Sequence, residues 1–154
     1  NDGRAKVSFM APSVQGQKEC IVRALRSARV VPGAVEYVEC HGTGTLLGDP
    51  IEVAALTEAF QVAEAKMKRG GLATVGEEKS CSLGALKPNI AHSNIAAGMG
   101  SIIKLTEALH QQAFPGQINF SVLNPHIPLE GSPFAIQRQA TAWRTQQEHG
   151  KDQV

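Results

Sequence analysis

The chain has 154 residues, which is enough for one domain with a hydrophobic core. Its 15 lysines and arginines nearly balance 14 aspartates and glutamates, so the net charge of +1 indicates neither a nucleic-acid nor an anionic-membrane partner. The sequence has no bilayer-spanning apolar run and no signal-peptide core, and its three widely spaced cysteines form no disulfide framework, so we predict a cytoplasmic protein.

The first clear pattern predicts a helix over residues 13–29, preceded by a short strand at residues 7–10. Ser13 suits the N-cap position, and apolar residues such as Leu25 recur at helical spacing along one face. Cys20 falls on the same face, and we predict a core residue there rather than a reactive thiol.

The centre of the chain, residues 35–58, predicts a strand, a glycine-threonine turn and an amphipathic helix, in that order. Asp49 is predicted as the N-cap, with Pro50 at the first helical position and Glu52 reaching back in a capping box. His41 therefore lies where a strand ends and a tight turn begins. Reactive side chains are often held at that position in open α/β sheets.

The second half predicts a strand at residues 81–86, a loop at residues 87–94 and a helix at residues 95–112. Glycine weakens a helix interior by about 1 kcal/mol relative to alanine. The pair Gly98 and Gly100 therefore predicts a second backbone packed closely against the start of this helix.

The tail predicts short edge strands at residues 118–122 and 134–137, between breaks rich in proline and asparagine. Alternating strand and helix signals predict an α/β architecture. We predict one domain over residues 1–143 and a disordered polar tail over residues 144–154. Because the first residue is Asn1 rather than Met, we expect the numbering to begin inside a longer chain or after processing.

His41 and His92 each lie in a loop just ahead of a predicted helix. A helix N-terminus disfavours the charged ring, so we expect both pKa values to lie below the reference of about 6.5. A neutral imidazole can donate a hydrogen bond to a carbonyl oxygen that becomes an enolate or oxyanion. We expect both rings to face one pocket, with Lys87 nearby. For either histidine alone, the alternative interpretation is an ordinary hydrogen-bonded loop residue.

The turn after His41 is also a loose relative of a dinucleotide-binding loop, with the spacing G-x-G-x-x-x-G between a strand and a helix. No acidic residue ends a second strand about 20 residues later, and no G-K-[ST] follows, which excludes a Walker A loop. Nucleotide binding stays an alternative. No two histidines or cysteines have metal-ligand spacing, so neither a metal site nor a bound cofactor is predicted.

Two motifs make the chain resemble a known family. Residues 38–45 together with residues 48–52 resemble the first histidine motif of β-ketoacyl synthases. Residues 87–92 followed by residues 96–98 resemble the lysine and second histidine motif of the same family. The resemblance is closest to ketosynthase domains of modular type I polyketide synthases and extends to about Trp143. It implies the C-terminal half of a thiolase-like fold, with a mixed sheet flanked by helices.

The resemblance implies a decarboxylative Claisen condensation of an acyl group with a malonyl-type unit, in polyketide or fatty acid biosynthesis. His41 and His92 would hold the thioester carbonyl and stabilise the enolate, and Lys87 would organise the charge around His92. The implied substrate contacts are Thr43, Thr45 and Asn89. The substrates would be attached to the phosphopantetheine arm of acyl carrier protein. The other implied partners are the N-terminal half of the ketosynthase and a second copy in the parent homodimer.

The sequence departs from the family pattern at several points. The cysteine motif that carries the family's nucleophile is absent, and Cys20, Cys40 and Cys81 lie in other contexts. The glycine-phenylalanine-glycine strand that closes the second half is absent too, so we expect the last strand to be missing. Ala91 replaces the glycine usual before the second histidine. We therefore expect a half-domain that is inactive alone; the alternative is a non-condensing scaffold that docks a carrier protein.

Overall fold

The computed structural model describes Lys6, Ser8 and residues 11–69 and 81–143. The helices are Val14–Ala28 (α1), Gly48–Arg69 (α2), Lys87–Ile90 (α3) and Ala97–Gln111 (α4), with 3₁₀ turns at Pro32–Ala34 and Asn94–Ala96. The strands are Tyr37–Glu39 (β1), Cys81–Gly84 (β2), Ala113–Phe114 (β3), Phe134–Ile136 (β4) and Thr141–Ala142 (β5). Most of the strand predicted at residues 7–10, and all of the tail at residues 144–154, lie outside the described residues.

The main sheet is parallel, with β2 in the centre between β1 and β4. Helix α2 lies on the crossover from β1 to β2, as parallel strands require. β3 and β5 pair antiparallel in a separate small sheet. The predicted α/β class is confirmed; the parallel and antiparallel pairs belong to two sheets. The carboxyl ends of β1 and β2 meet at one sheet edge, and the two histidine motifs begin there.

The core lies between the sheet and the packed pair α1 and α2. Phe60 of α2 meets Phe134 of β4 edge to face, with ring centroids 4.9 Å apart. Burying side chains of this size contributes about 1.5–3 kcal/mol each. The buried residues of this cluster are Leu25, Val53, Leu56, Phe60, Ala63, Cys81, Leu83 and Phe134. The core therefore holds the ends of β1 and β2 in place.

The predicted first helix is confirmed together with its cap. The Ser13 hydroxyl accepts a hydrogen bond from Gly16 N at 3.1 Å, which satisfies one of the first amide groups of α1. The helix ends at Arg29, which adopts a left-handed conformation with φ 55°. Cys20 is partly buried rather than fully in the core.

Two local predictions in the second half are wrong. Residues 118–122 form turns rather than an edge strand. Asn119 has φ 53°, which an extended strand does not allow. The segment predicted as a loop after β2 contains one helical turn, α3, because Pro88 occupies its start, where a missing N–H is tolerated. The strand predicted at residues 134–137 is confirmed as β4, at an edge of the sheet.

Among the described residues, no backbone packs against Gly98 or Gly100 at the start of α4. A Cβ built at Gly98 meets nothing within 4 Å in the described structure. One built at Gly100 lies 2.8 Å from the Cδ2 atom of Leu86, which is a side chain. Large apolar side chains of this helix face outward, with Met99 59% and Ile103 65% exposed. The close backbone packing predicted around Gly98 and Gly100 is therefore not found among the described residues.

No helix in the described ranges is both long and apolar enough to cross a membrane.

Candidate functional site

The site is built where the ends of β1 and β2 lead into two loops. We call residues 40–47 the His41 loop and residues 85–93 the His92 loop. Cys40 N continues the ladder by donating to Gly84 O at 2.8 Å. Gly42 has φ 47°, and a Cβ built there would lie 2.5 Å from the Cβ of Ala85. Glycine at this position therefore lets the two loops approach each other closely.

The two predicted histidines come together. Their ring centroids lie 5.2 Å apart at an interplanar angle of 82°, an edge-to-face arrangement. His92 lines a cleft of about 580 Å³, whereas His41 lines an adjoining one of about 460 Å³. The expectation that both rings face one pocket is therefore met only in part, since the clefts are neighbours that share Thr43, Asp49 and Glu52.

Lys87 contacts His41, whereas the resemblance had assigned it to the surroundings of His92. Its ammonium group donates to the backbone carbonyl of His41 and lies 3.3 Å from Nδ1 of the His41 ring. His92 instead accepts a hydrogen bond at Nδ1 from Asn94 N at 3.1 Å. The reason is positional: Lys87 begins α3 next to the end of β1, and His92 lies beyond that helical turn.

The hydrogen bonds assign the same tautomer to both neutral rings. An ammonium group and a backbone N–H can only donate, so each Nδ1 acts as the acceptor. The proton of each neutral ring then lies on Nε2. In the described structure neither Nε2 has a protein partner, so both are available as donors to a ligand.

The pKa of His41 is lowered from its usual value, first by burial and then by the positive charge of Lys87. The direction agrees with the prediction from sequence. The physical cause differs, since the sequence argument relied on a helix dipole. At about pH 7 the ring is neutral.

Glu52 supports the His41 loop rather than capping its own helix. Its carboxylate accepts hydrogen bonds from His41 N at 2.6 Å and from Gly42 N at 3.0 Å. The predicted capping box is therefore wrong. The carboxylate reaches across the turn to amides that point at it, and it fixes the backbone that carries the His41 ring.

Asp49 is likewise not the N-cap of α2. The helix begins at Gly48, two residues before the predicted first position Pro50, and the Thr45 hydroxyl accepts from Gly48 N at 3.0 Å. Asp49 accepts from Gly44 N at 3.2 Å. Together with Glu52, it occupies amides that a phosphate would need, which argues against the nucleotide-binding alternative.

The predicted substrate contacts separate into two groups. Thr43 and Thr45 lie beside His41, with their hydroxyl oxygens 3.4 Å apart, and both line its cleft. Asn89 is exposed on α3 and lines neither of the two clefts. The geometry thus brings the two threonines to the histidines and leaves Asn89 apart.

Sequence reasoning missed the segment at residues 117–124, which forms one wall of the cleft lined by His92. Side-chain amides from this segment bind the backbone of both histidine loops. A signal was available, since residues 117, 119 and 124 are Gln or Asn in a segment bounded by prolines.

Two of the cysteines, Cys40 in the cleft lining and Cys81 in the core, are poor nucleophiles. Burial raises the pKa of the Cys40 thiol well above its usual value, and the nearby carboxylate of Glu52 adds to this effect. Burial also raises the pKa of Cys81 to about 12. A thiolate, the reactive form, is therefore scarce at both positions. No three histidine, cysteine or carboxylate side chains converge as metal ligands within the described ranges.

Comparison with known proteins assigns a family to this arrangement. Residues 1–121 match the family described as "Beta-ketoacyl synthase, C-terminal domain". A phenolphthiocerol/phthiocerol polyketide synthase protein of Mycobacterium tuberculosis is 37% identical over 143 residues, 93% of this chain but 9% of that protein. Polyketide synthase PksN of Bacillus subtilis is 39% identical over 139 residues, 90% of this chain and 2% of its own length.

Solved structures of ketosynthase domains are also similar to this chain. Ketosynthase twelve of the bacillaene polyketide synthase from Bacillus amyloliquefaciens superposes with a TM-score of 0.81 at 38% identity. A ketosynthase domain of oxazolomycin biosynthesis from Streptomyces albus gives a TM-score of 0.79 at 34% identity. The match covers 94% and 93% of this chain, respectively, but 24% of each solved chain. The chain therefore spans about a quarter of the solved relatives.

Proposed function

The chain belongs to the family of beta-ketoacyl synthase C-terminal domains found in polyketide synthases, and on that premise we propose that it supplies the malonyl-activating side of a ketosynthase. The observation that carries the proposal is the pair of histidine rings 5.2 Å apart, each with Nδ1 engaged and Nε2 left to donate. Two such donors suit one oxygen that gains negative charge.

The proposed reaction is a decarboxylative Claisen condensation. The malonyl unit loses carbon dioxide, and the electron pair of the broken carbon–carbon bond passes into an enolate whose oxygen the Nε2–H groups of His41 and His92 bind. The enolate carbon then attacks an acyl thioester, and the thiolate of the nucleophilic cysteine leaves. Removing one donor of this kind costs about 10²–10³ in rate.

Lys87 has three proposed roles beside the rings. Its charge favours the neutral form of His41, which keeps the Nε2 donor available without a formal charge. Its contact with the His41 carbonyl also orients the loop. The positive charge near the enolate adds electrostatic stabilisation.

Thr43 and Thr45 are proposed to guide the phosphopantetheine arm of an acyl carrier protein, because their hydroxyl groups line the cleft of His41. Asn89 stays a proposed substrate contact at the exposed surface of α3. No bound cofactor is proposed, since the substrates are attached to the carrier protein.

The chain is proposed to need the remainder of a ketosynthase, including the N-terminal half and its nucleophilic cysteine. The exposed apolar face of α4 suits that partner, because about three-quarters of each solved relative lies outside the matched part. A homodimer of the parent and docking of a carrier protein complete the proposed assembly.

The deciding experiment uses the intact synthase that contains this chain. His41→Ala and His92→Ala are each expected to slow malonyl decarboxylation and chain extension by about 10²–10³. His126→Ala serves as the control, because this exposed histidine contributes only its backbone N–H to the described contacts. Unchanged chain extension after His41→Ala would contradict the proposal and support the non-condensing scaffold.

A second test concerns the 154-residue chain alone. Incubation with an acyl thioester is expected to leave its mass unchanged, since burial disfavours the thiolates of Cys40 and Cys81. Intact-mass spectrometry measures the result. A stoichiometric acyl adduct on any of its three cysteines would show that the chain carries its own nucleophile.

A further inference from the structure

Residues 117–124, which we call the strap, connect the two histidine loops. Gln117 accepts a hydrogen bond at Oε1 from Ala85 N at 2.8 Å, and Asn119 donates from Nδ2 to Pro88 O at 3.0 Å. Both contacts hold the His92 loop. Asn124 donates from Nδ2 to Leu46 O at 3.2 Å, which holds the His41 loop.

The strap is itself anchored at both ends. Gln117 N donates to Gln137 O at 2.7 Å, immediately after β4, so one end is attached to the central sheet. At the other end Asn124 Oδ1 accepts from His126 N at 3.0 Å and closes a local turn. The Asn124 side chain therefore performs two separable tasks: its oxygen forms the turn, and its amino group reaches the His41 loop.

The turn conformation of the strap is what frees these amides. Asn119 has a left-handed φ of 53°, so the segment cannot pair as a strand, and its side chain points at the His92 loop instead. Between the anchored ends, Ile118 and Phe120 form the wall of the cleft lined by His92. The strap is thus both a wall of that cleft and a bridge between its two sides.

We propose that Gln117, Asn119 and Asn124 are positioning residues that hold the His41 and His92 loops at the separation needed to bind one enolate oxygen. The proposal rests on the proposed function of that site. Their hydrogen bonds to the two loops go to backbone atoms, so the three residues act through the backbone that carries the rings. Misplacing a catalytic group by about 1 Å can reduce a rate by about 10²-fold.

The test uses two Asn124 variants in the intact synthase. Asn124→Asp keeps the oxygen that forms the local turn and loses the amino group that reaches Leu46, whereas Asn124→Ala loses both. Both are expected to lower kcat for malonyl decarboxylation about 10-fold, with KM within about two-fold of wild type. Acylation of the synthase's nucleophilic cysteine, which does not use the enolate site, should keep its wild-type rate.

Ser121→Ala provides a control within the strap, because this exposed side chain lies outside the cleft lining and makes no hydrogen bond to the described residues. It should leave decarboxylation within about two-fold of wild type, and Gln117→Met should lower it about 10-fold. Asn119→Gly removes the contact with Pro88 and tolerates the left-handed φ of this position. It should also lower decarboxylation about 10-fold, and it decides the question if an Asn124 variant does not fold.

The outcomes separate this inference from the proposed function. If His41→Ala abolishes decarboxylation while Asn124→Asp keeps wild-type kcat, the positioning role is wrong and the proposed function stands. If cysteine acylation falls in parallel with decarboxylation, the strap has a general structural role and the inference is overturned. If His41→Ala itself retains activity, the proposed function fails whatever the strap variants do.

Discussion

At the scale of single residues, the protonation of His41 depends on its burial and on Lys87, a neighbour from a distant part of the chain. Lys87 is 46 positions away in sequence, yet its ammonium group lies 3.3 Å from the His41 ring. Burial lowers the pKa of His41 most, and Lys87 lowers it further. The neutral donor form of the ring is therefore a property of the assembled loops.

Replacing Lys87 with Met is expected to raise the pKa of His41 toward its reference of about 6.5, because a nearby positive charge is removed. The pKa should stay below the reference, since burial is the larger cause and persists. NMR titration of the His41 ring in the 154-residue chain measures the shift. Lys66→Met, near the far end of α2, is the control and should leave the pKa unchanged.

The same shift has a consequence for stability. Because the folded-state pKa of His41 is depressed, the unfolded chain binds the proton first as the pH falls. The contribution of neutral His41 to the free energy of unfolding is therefore fully present above about pH 6.5. It is lost as the pH falls through the pKa of His41 in the folded chain. Lys87→Met should weaken this pH dependence, measured by urea unfolding. A stronger dependence would contradict the assigned cause.

At the scale of elements, one ion pair joins α4 to β1. Lys104 Nζ lies 2.7 Å from Glu39 Oε2, and the side chains are 16% and 2% exposed. Tyr37 donates to the same carboxylate oxygen at 3.1 Å. The other oxygen, Glu39 Oε1, has no hydrogen-bond partner in the described part of the chain. Removing the lysine would leave a buried carboxylate without its counter-ion.

Lys104→Met is therefore expected to lower the free energy of unfolding by about 3–5 kcal/mol. The double variant Lys104→Met/Glu39→Met should be less destabilised than the single one, because no unpaired charge remains. Urea denaturation of the chain measures both. Lys68→Met is the control: its 3.0 Å pair with Glu64 is exposed, so a change of at most about 1 kcal/mol is expected. Equal losses of unfolding free energy in Lys104→Met and Lys68→Met would refute the argument.

At the scale of the whole molecule, α4 presents an apolar face that the described chain does not bury. Contiguous exposed apolar surface of this kind marks an interaction site. The exposed large apolar residues of this helix are Met99, Ile102, Ile103 and Leu109. Because the chain matches only 24% of a solved ketosynthase, the remainder of the parent is the proposed cover.

Ile103→Glu is expected to affect the isolated chain and the intact synthase differently. Ile103 is 65% exposed, so the isolated chain should change its free energy of unfolding by no more than about 0.5 kcal/mol. In the intact synthase, the buried charge should lower the yield of soluble enzyme and its chain extension. Ala24→Glu, at an exposed position of α1, should affect neither. Normal activity of the Ile103→Glu synthase would exclude this face as an internal interface.

The sequence by itself determined the elements whose signals are local. The cap at Ser13, the long helices α1, α2 and α4, the strands at the two histidine motifs and the edge strand β4 all depend on spacing within a few residues. The two motifs were long enough to indicate the family without the fold. Their matching positions, each in a loop ahead of a predicted helix, also indicated one shared site, whereas the parallel pairing that brings the rings together is a property of the fold.

Only the tertiary structure decided which groups those histidines contact. Glu52 binds the His41 loop instead of its own helix, Lys87 binds His41 instead of His92, and Asn124 reaches Leu46 across 78 positions. Such contacts depend on side-chain direction and on how far each loop extends beyond its strand. Neither quantity follows from local propensity, because the free energy that selects them comes from packing between distant segments.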